Sequence, residues 1–419
     1  MILEYSVSNY KSIKNKVMFS AVAGKDTTFL ERTREFQQNN ILKTAILYGA
    51  NGSGKSNLIQ SIAFMKNLVV NSINYQPGQG ILYQPHKQLG FEQNSEFSIQ
   101  FIIDDIRYAY GFSLNNMVVV DEYLYYFPKK RQAKIFERIE NEVLSFGDKF
   151  KGKFTNSLDV LKPNRLFLSC AANFSSVNEI ANVYGFFRDK IVIYSLENQQ
   201  NWMNYSLGEI NNNPKTKEIV LSFLDNLGLK IKDVKVNIEQ QDFDPEAIAL
   251  PDFLSDDFKE QIKHSKVNSI TAKLIYNSGM EVDLIHEESA GIKKLFSFLC
   301  PFIDIIKKEK TLICDELEAS LHEAIIAELI SLFTDLNSNN NAQLFFSTHD
   351  TSLLNLDLFR RDQIWFTELK ENDRSTDLYS LAEIKNIRKD EKYGKGYISG
   401  KYGAIPFLNH DMKKIIDKE

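Results

Sequence analysis

The chain has 419 residues, 43% hydrophobic and 25% charged, enough apolar material for a full core and too much for a disordered chain. The 50 Lys+Arg against 55 Asp+Glu give a formal net charge of −5, which argues against a histone-like nucleic-acid binder but leaves room for local basic patches. The three cysteines, Cys170, Cys300 and Cys314, form no CxxC pair and have no His at zinc spacing, which excludes a disulfide scaffold and points to a reduced, cytoplasmic setting.

The start, Met1-Ile2-Leu3-Glu4, lacks the basic and apolar regions of a secretion signal. Residues 45–48 are a short apolar run ending at Gly49, followed by a glycine-rich turn and a helical pattern over 57–69: strand, loop, helix. Residues 97–101, 106–114 and 118–127 are rich in β-branched and aromatic residues. Asp104-Asp105 and Asn115-Asn116 punctuate them, which predicts a three-stranded antiparallel meander.

From 128 the composition turns to Lys, Arg, Asn and Glu, with helical apolar groups such as Ile219, Val220, Phe223 and Leu224 and breaks at Pro214 and Pro251. Residues 128–265 are therefore expected to form an inserted lobe, mixed or mostly helical, between head segments 1–127 and 266–419. No heptads are sustained, so no long coiled coil is predicted. The most apolar stretch, 295–306, is interrupted by Pro301 and Asp304 and falls short of the roughly 20 residues of a membrane span, so no membrane partner is expected. Strands are predicted at 311–314, 343–346 and 363–367, with a helix over 324–336 and a polar loop at 337–341. This alternation predicts an α/β fold with a mainly parallel sheet.

Gly49-Ala50-Asn51-Gly52-Ser53-Gly54-Lys55-Ser56 matches GxxxxGK[ST] at every fixed position. Glycines let successive backbone N–H groups turn inward onto phosphate oxygens, and the following helix presents its N-terminal dipole to the same anion. Asn51, Gly52, Ser53, Gly54, Lys55, Ser56 and Asn57 are the expected nucleotide contacts. Lys55 would reach the β- and γ-phosphates of ATP, and Ser56 would bind Mg²⁺. The strand at 311–314 ends in Asp315, placed to hold the Mg²⁺ shell, and Glu316, placed to orient or deprotonate an attacking water. The strand at 343–346 ends in Ser347-Thr348-His349, where His349 could hydrogen-bond the γ-phosphate. Glu288-Ser289-Ala290-Gly291 opens an apolar helix, and Ser289 there reads either as an ordinary helix cap or as part of an anion site.

In this order the motifs resemble the ABC-type ATPases. More closely, the chain resembles the prokaryotic AAA15-type ATPases, armless relatives of the RecF/SMC branch found in the Septu, PARIS and Rlo anti-phage systems. The matching stretches are Asn9-Tyr10-Lys11-Ser12-Ile13, the phosphate loop, Glu288 to Gly291, Asp315 to His322, Ser347 to Asp350, Arg361 to Phe366 and Tyr397 to Pro406. The resemblance implies two heads sandwiching ATP, with Ser289 and Gly291 supplied across the interface and 318–321 contacting the opposite subunit. It implies a nucleotide contact from Lys11, where the family usually has Arg, and a metal-contacting glutamine for which Gln84 and Gln88 both qualify.

The resemblance also implies a homodimer or higher oligomer. It would act as a nucleotide-dependent sensor or regulator in anti-phage defence, controlling a separate effector such as a nuclease or toxin. The competing expectations are a repair ATPase that binds DNA directly and a scaffold that binds ATP without turnover. The basic runs at 129–138 and 385–401, the latter interleaved with Tyr393 and Tyr397, are the candidate nucleic-acid surfaces.

Overall fold

The computed structural model describes residues 1–141, 143–242, 266–334, 341–355, 358–385, 387 and 391–405. Pro251, residues 337–340, part of the basic run at 385–401 and Pro406 lie outside them. The chain divides into two compact units. The first is Met1–Ser195, Ile305–Glu318 and Ile326–Glu419; the second is Leu196–Asp304 and Ala319–Ile325.

The first unit holds two large sheets. One has six strands, in the order Ile191–Tyr194, Thr311–Cys314, Gln343–Ser347, Thr44–Gly49, Ile364–Leu369 and Thr376–Ser380. Neighbours are parallel except the last pair. This is the expected α/β fold with a mainly parallel sheet, and its central strands are apolar runs buried on both faces. The other sheet has seven antiparallel strands. The meander Ser95–Ile103, Ile106–Leu114 and Val119–Phe127 continues into Ala133–Ile139 and Val143–Phe146 on one side, and into Ile2–Ser8 and Val17–Ser20 on the other. Its alternation is plain in the first meander strand, where Phe97, Ile99 and Phe101 are buried between Glu96, Ser98 and Gln100. Asp104 and Asp105 both take positive φ (46° and 58°), as a two-residue hairpin turn requires.

The helix Lys55–Asn71 buries Leu58, Ile59, Ile62, Met65, Leu68 and Val69 in the core that the two sheets share. The short helices Phe167–Phe174 and Asn178–Gly185 join the same core. Phe186 stacks on Phe101 with ring centroids 4.3 Å apart. The fully buried Glu122 carboxylate accepts from the amides of Phe167 (2.5 Å) and Leu168 (2.9 Å) at the first helix's start. The expected boundary at 128 therefore falls inside a hairpin. Residues 128–195 extend the antiparallel sheet, pack on it, and finish as an edge strand of the parallel sheet.

The second unit has its own core, formed by Met203, Leu207, Val220, Leu224, Val234, Leu274, Leu295 and Leu299 among others. Helices Gln199–Asn212 and Pro214–Asn226 pack beside a three-stranded antiparallel sheet of Ile231–Asp242, Lys266–Tyr276 and Glu281–Asp283. The helices Gln199–Asn212 and Pro214–Asn226 are followed by the antiparallel pair Ile231–Asp242 and Lys266–Tyr276. In the helix Ala290–Lys307, Pro301 has no N–H for the Ser297 carbonyl one turn back. Ser206 Oγ donates to that carbonyl at 3.3 Å, so the buried group keeps a partner. No helix among the described residues is long and apolar enough to cross a membrane.

The two sheets of the first unit are tied by one buried side chain. Gln343 Nε2 donates to the carbonyls of Ile2 and Leu42, both at 3.0 Å. Its Oε1 accepts from the Ile2 amide at 2.6 Å and from Thr311 Oγ1 at 3.1 Å. Gln343→Leu keeps the volume and strands these groups in the core. We expect a loss of about 2–4 kcal/mol of stability, read as a lowered denaturation midpoint.

Candidate nucleotide site

The parallel sheet brings three motif-bearing strands to one edge. Thr44–Gly49 runs into the phosphate loop, Thr311–Cys314 into Asp315 and Glu316, and Gln343–Ser347 into Thr348 and His349. Ligands of open α/β sheets bind at this carboxyl edge. A cleft of about 320 Å³ opens there, lined by Asn51, Gly52, Gly54, Lys55, Ser56, Asn57, Glu316 and His349.

The loop's glycines are required by space and by conformation. A Cβ on Gly49 would lie 2.4 Å from Ser53 Oγ and 2.5 Å from the Thr367 carbonyl. Gly54 has φ 112° and a Cβ there would lie 2.1 Å from Thr376 Oγ1. Gly52 faces open space, but its φ of 78° disfavours other residues. Lys55 is buried, and its Nζ donates to the carbonyls of Gly49 (2.7 Å) and Ala50 (3.2 Å). Burial lowers its pKa, and the negative charges of Asp315, Glu316 and Glu318 act against that shift.

Ser347 organises the acidic pair. Its hydroxyl donates to Asp315 Oδ1 at 2.5 Å and accepts from the Glu316 amide at 2.9 Å. These bonds hold Glu316 at φ 51°, a left-handed conformation that costs a non-glycine residue roughly 1–3 kcal/mol and turns its carboxylate into the cleft. The His349 amide donates to Glu318 Oε1 at 2.6 Å, which fixes the loop that carries the imidazole. The imidazole is exposed, and its pKa is lowered first by partial desolvation and then by the Lys55 charge, which disfavours the imidazolium. Among the described residues no three His, Cys, Asp or Glu side chains gather into a metal cluster. The Ser56 hydroxyl and the second Asp315 oxygen are hard oxygen donors of the kind Mg²⁺ takes, alongside nucleotide phosphates.

Lys11, Gln84 and Gln88 do not line this cleft. Lys11 places its ammonium on Gln60 Oε1 at 2.5 Å, and its amide donates to the Gln84 carbonyl at 2.8 Å. Gln84 is exposed and outside the cleft lining, and Gln88 accepts from Lys14 at 2.8 Å. Ser289 and Gly291 belong to the second unit. There Ser289 Oγ accepts from the Ile292 amide at 3.3 Å, the ordinary capping bond, and a Cβ on Gly291 would meet the Ser320 carbonyl at 2.6 Å. Thr367 and Thr376 belong to no phosphate-binding motif, and Ser12 enters only as part of the Asn9 to Ile13 stretch, yet all three touch the loop or its neighbours. Glycine-level crowding is visible only in three dimensions.

A family model described as "AAA domain, putative AbiEii toxin, Type IV TA system" matches residues 45–355. None of the curated proteins compared with the chain matches it. Solved structures similar to the chain include the SmcHead bound to the C-winged helix domain of ScpA, at 15% identity and TM-score 0.41, over 90% of this chain and 97% of that one. The SMC head domain from Thermotoga maritima follows at 12% identity and TM-score 0.40, over 90% and 98%. The Smc head domain with an extended coiled coil bound to the C-terminal domain of ScpA, from Pyrococcus furiosus, gives 13% identity and TM-score 0.38, over 90% and 96%.

Lys55→Met removes the cation that disfavours the imidazolium. The His349 titration midpoint, followed by NMR, is expected below 6.5 in the parent chain and higher in this variant.

Proposed function

The chain belongs to the AAA domain family, and on that premise we propose that it binds and hydrolyses ATP with Mg²⁺, acting as the nucleotide-dependent regulator of a bacterial anti-phage system. The observation that carries the ATPase reading is the single cleft that gathers the phosphate loop, Glu316 and His349. The loop amides and Lys55 would bind the phosphates, while Ser56 and Asp315 would hold Mg²⁺. Glu316 would accept a proton from the water that attacks the γ-phosphorus as the bond to the ADP oxygen breaks. A neutral His349 would donate a hydrogen bond to the γ-phosphate.

A second head would complete each site with Ser289 and Gly291, making the working form a cytoplasmic homodimer or higher oligomer. The second unit offers a partner or dimer surface for such an assembly, and a separate nuclease or toxin would act as effector. The family description, with its putative toxin and toxin–antitoxin system, is what supports a two-component bacterial role.

Glu316→Gln is expected to lower turnover about 100-fold or more while keeping ATP binding, and to accumulate an ATP-bound dimer visible by light scattering. Unchanged turnover would remove Glu316 from the role. Mixing Glu316→Gln chains with Ser289→Arg chains should restore hydrolysis that neither shows alone, because one of the two composite sites is then intact. For the defence reading, expression with the neighbouring reading frames should reduce phage plating in a Lys55-dependent way. Steep, salt-sensitive, ATP-stimulated DNA binding without such protection would instead favour direct action on DNA.

A further inference from the structure

The phosphate loop is tied to its surroundings by two chains of hydroxyl groups whose direction is set by their ends. Asn57 Nδ2, a donor, reaches Ser12 Oγ at 2.7 Å. The Ser53 carbonyl, an acceptor, receives Thr376 Oγ1 at 2.9 Å. Ser12 Oγ and Thr376 Oγ1 lie 2.7 Å apart. Each hydroxyl has one proton. Thr376 spends its proton on Ser53, so Ser12 donates to Thr376, and the chain runs from Asn57 through Ser12 and Thr376 to the loop backbone. On the other side Thr367 Oγ1 donates to the Tyr48 carbonyl at 3.3 Å, so Ser53 Oγ, 2.6 Å away, donates to Thr367.

The first chain joins segments far apart in sequence. Ser12 belongs to the turn after the first strand, and Thr376 opens the last strand of the parallel sheet. The Thr376 amide donates to the Ser12 carbonyl at 2.7 Å, and outside this bond Lys14 pairs with Asp373 at 3.0 Å. Thr376 is buried and presses on Gly54, the residue whose left-handed turn aims the helix start at the cleft. Asn57, at the head of the chain, lines that cleft.

We propose that Ser12 and Thr376 are positioning residues for nucleotide, holding the phosphate loop in its anion-binding shape before the nucleotide arrives. The inference rests on the ATP reading above. A loop ordered in advance loses less entropy on binding, so the relay acts on affinity. Ser12 thereby gives the N-terminal turn a role in the site that does not depend on the Lys11 ammonium.

The test is Mg-ATP affinity by calorimetry on the full chain, with melting temperature recorded alongside, for the parent, T376V, T376S, S12A and the double variant T376V/S12A. T376V and S12A are each expected to weaken ATP about five- to tenfold, the double variant no more than T376V alone, and T376S to bind within about twofold of the parent. The relay is overturned if T376V binds within about twofold of the parent, if the two single losses multiply in the double variant, or if T376S is as weak as T376V. Should T376V fail to fold, S12A decides alone, and a loss under about twofold overturns the proposal. A parent chain that does not bind ATP removes the nucleotide reading itself. A parent that binds, with T376V its equal, removes only the relay.

Discussion

A phosphate loop must point its backbone N–H groups inward, and it has almost no side chains with which to hold that shape. The shape has to be imposed from outside. Here the strands beside the loop impose it: Thr367 crowds Gly49 and Thr376 crowds Gly54, each too closely for a Cβ. The strand order makes this possible. Ile364–Leu369 lies directly beside Thr44–Gly49, and Thr376–Ser380 returns antiparallel to it. Because that last strand runs backwards, its first residue, paired with Leu369, arrives at the carboxyl edge where the loop stands. A fully parallel sheet would have put Thr376 at the opposite edge.

The same edge concentrates charge of a chosen sign. One buried ammonium, Lys55, stands in the field of Asp315, Glu316 and Glu318, and its charge lowers the pKa of His349. That surplus of carboxylate suits a site in which a divalent cation accompanies the phosphates, and it suits a base that must accept a proton next to an anion. Glu316 and Glu318 do different work although they are two residues apart. The left-handed turn at Glu316 sends it into the cleft, whereas Glu318 reaches back to the His349 amide.

The legible parts of the chain were those with local signals. Strand, loop and helix at 44–71 follow from an apolar run, glycines and a helical period, and the Asp104-Asp105 turn announced its hairpin. The edge strand Ile191–Tyr194 is a β-branched run, but it lies in a stretch read as a separate lobe. It is four residues long, and its partner Thr311–Cys314 lies more than a hundred positions away. The strand at 133–139 is interrupted by Lys134, Glu137 and Arg138, of which Arg138 is buried, and the strand at 143–146 is only four residues long. The hairpin in the second unit did carry a clue, since Val234, Val236 and Ile238 alternate with Lys, Asn and Glu, a period of two inside a stretch whose neighbours have helical spacing. Thr376 was illegible for a different reason: its importance lies in a contact with Gly54, and no sequence pattern encodes that.

The division of labour between the two edges of the parallel sheet explains one motif of the resemblance. Arg361-Asp362-Gln363 reads as part of a functional signature, yet the side chains of Asp362 and Gln363 work at the edge opposite the cleft. Gln363 Nε2 donates to Thr44 Oγ1 at 2.6 Å and to the Thr44 carbonyl at 3.0 Å, at the first residue of the strand that ends in the phosphate loop. Asp362 pairs with the buried Arg360 at 2.6 Å and accepts from the Gly24 amide at 2.7 Å. Gln343 joins Thr311 at the starts of the strands that end at His349 and Asp315. A slip of one residue along any of these strands would move its far end by about 3.3 Å and turn every side chain over. Buried amides with fixed partners at the strand starts exclude that slip in a way apolar packing alone does not, because a methyl group accepts many neighbours and a buried carbonyl accepts few. The alignment of Lys55, Glu316 and His349 at one edge is thus fixed by glutamines that never approach the cleft.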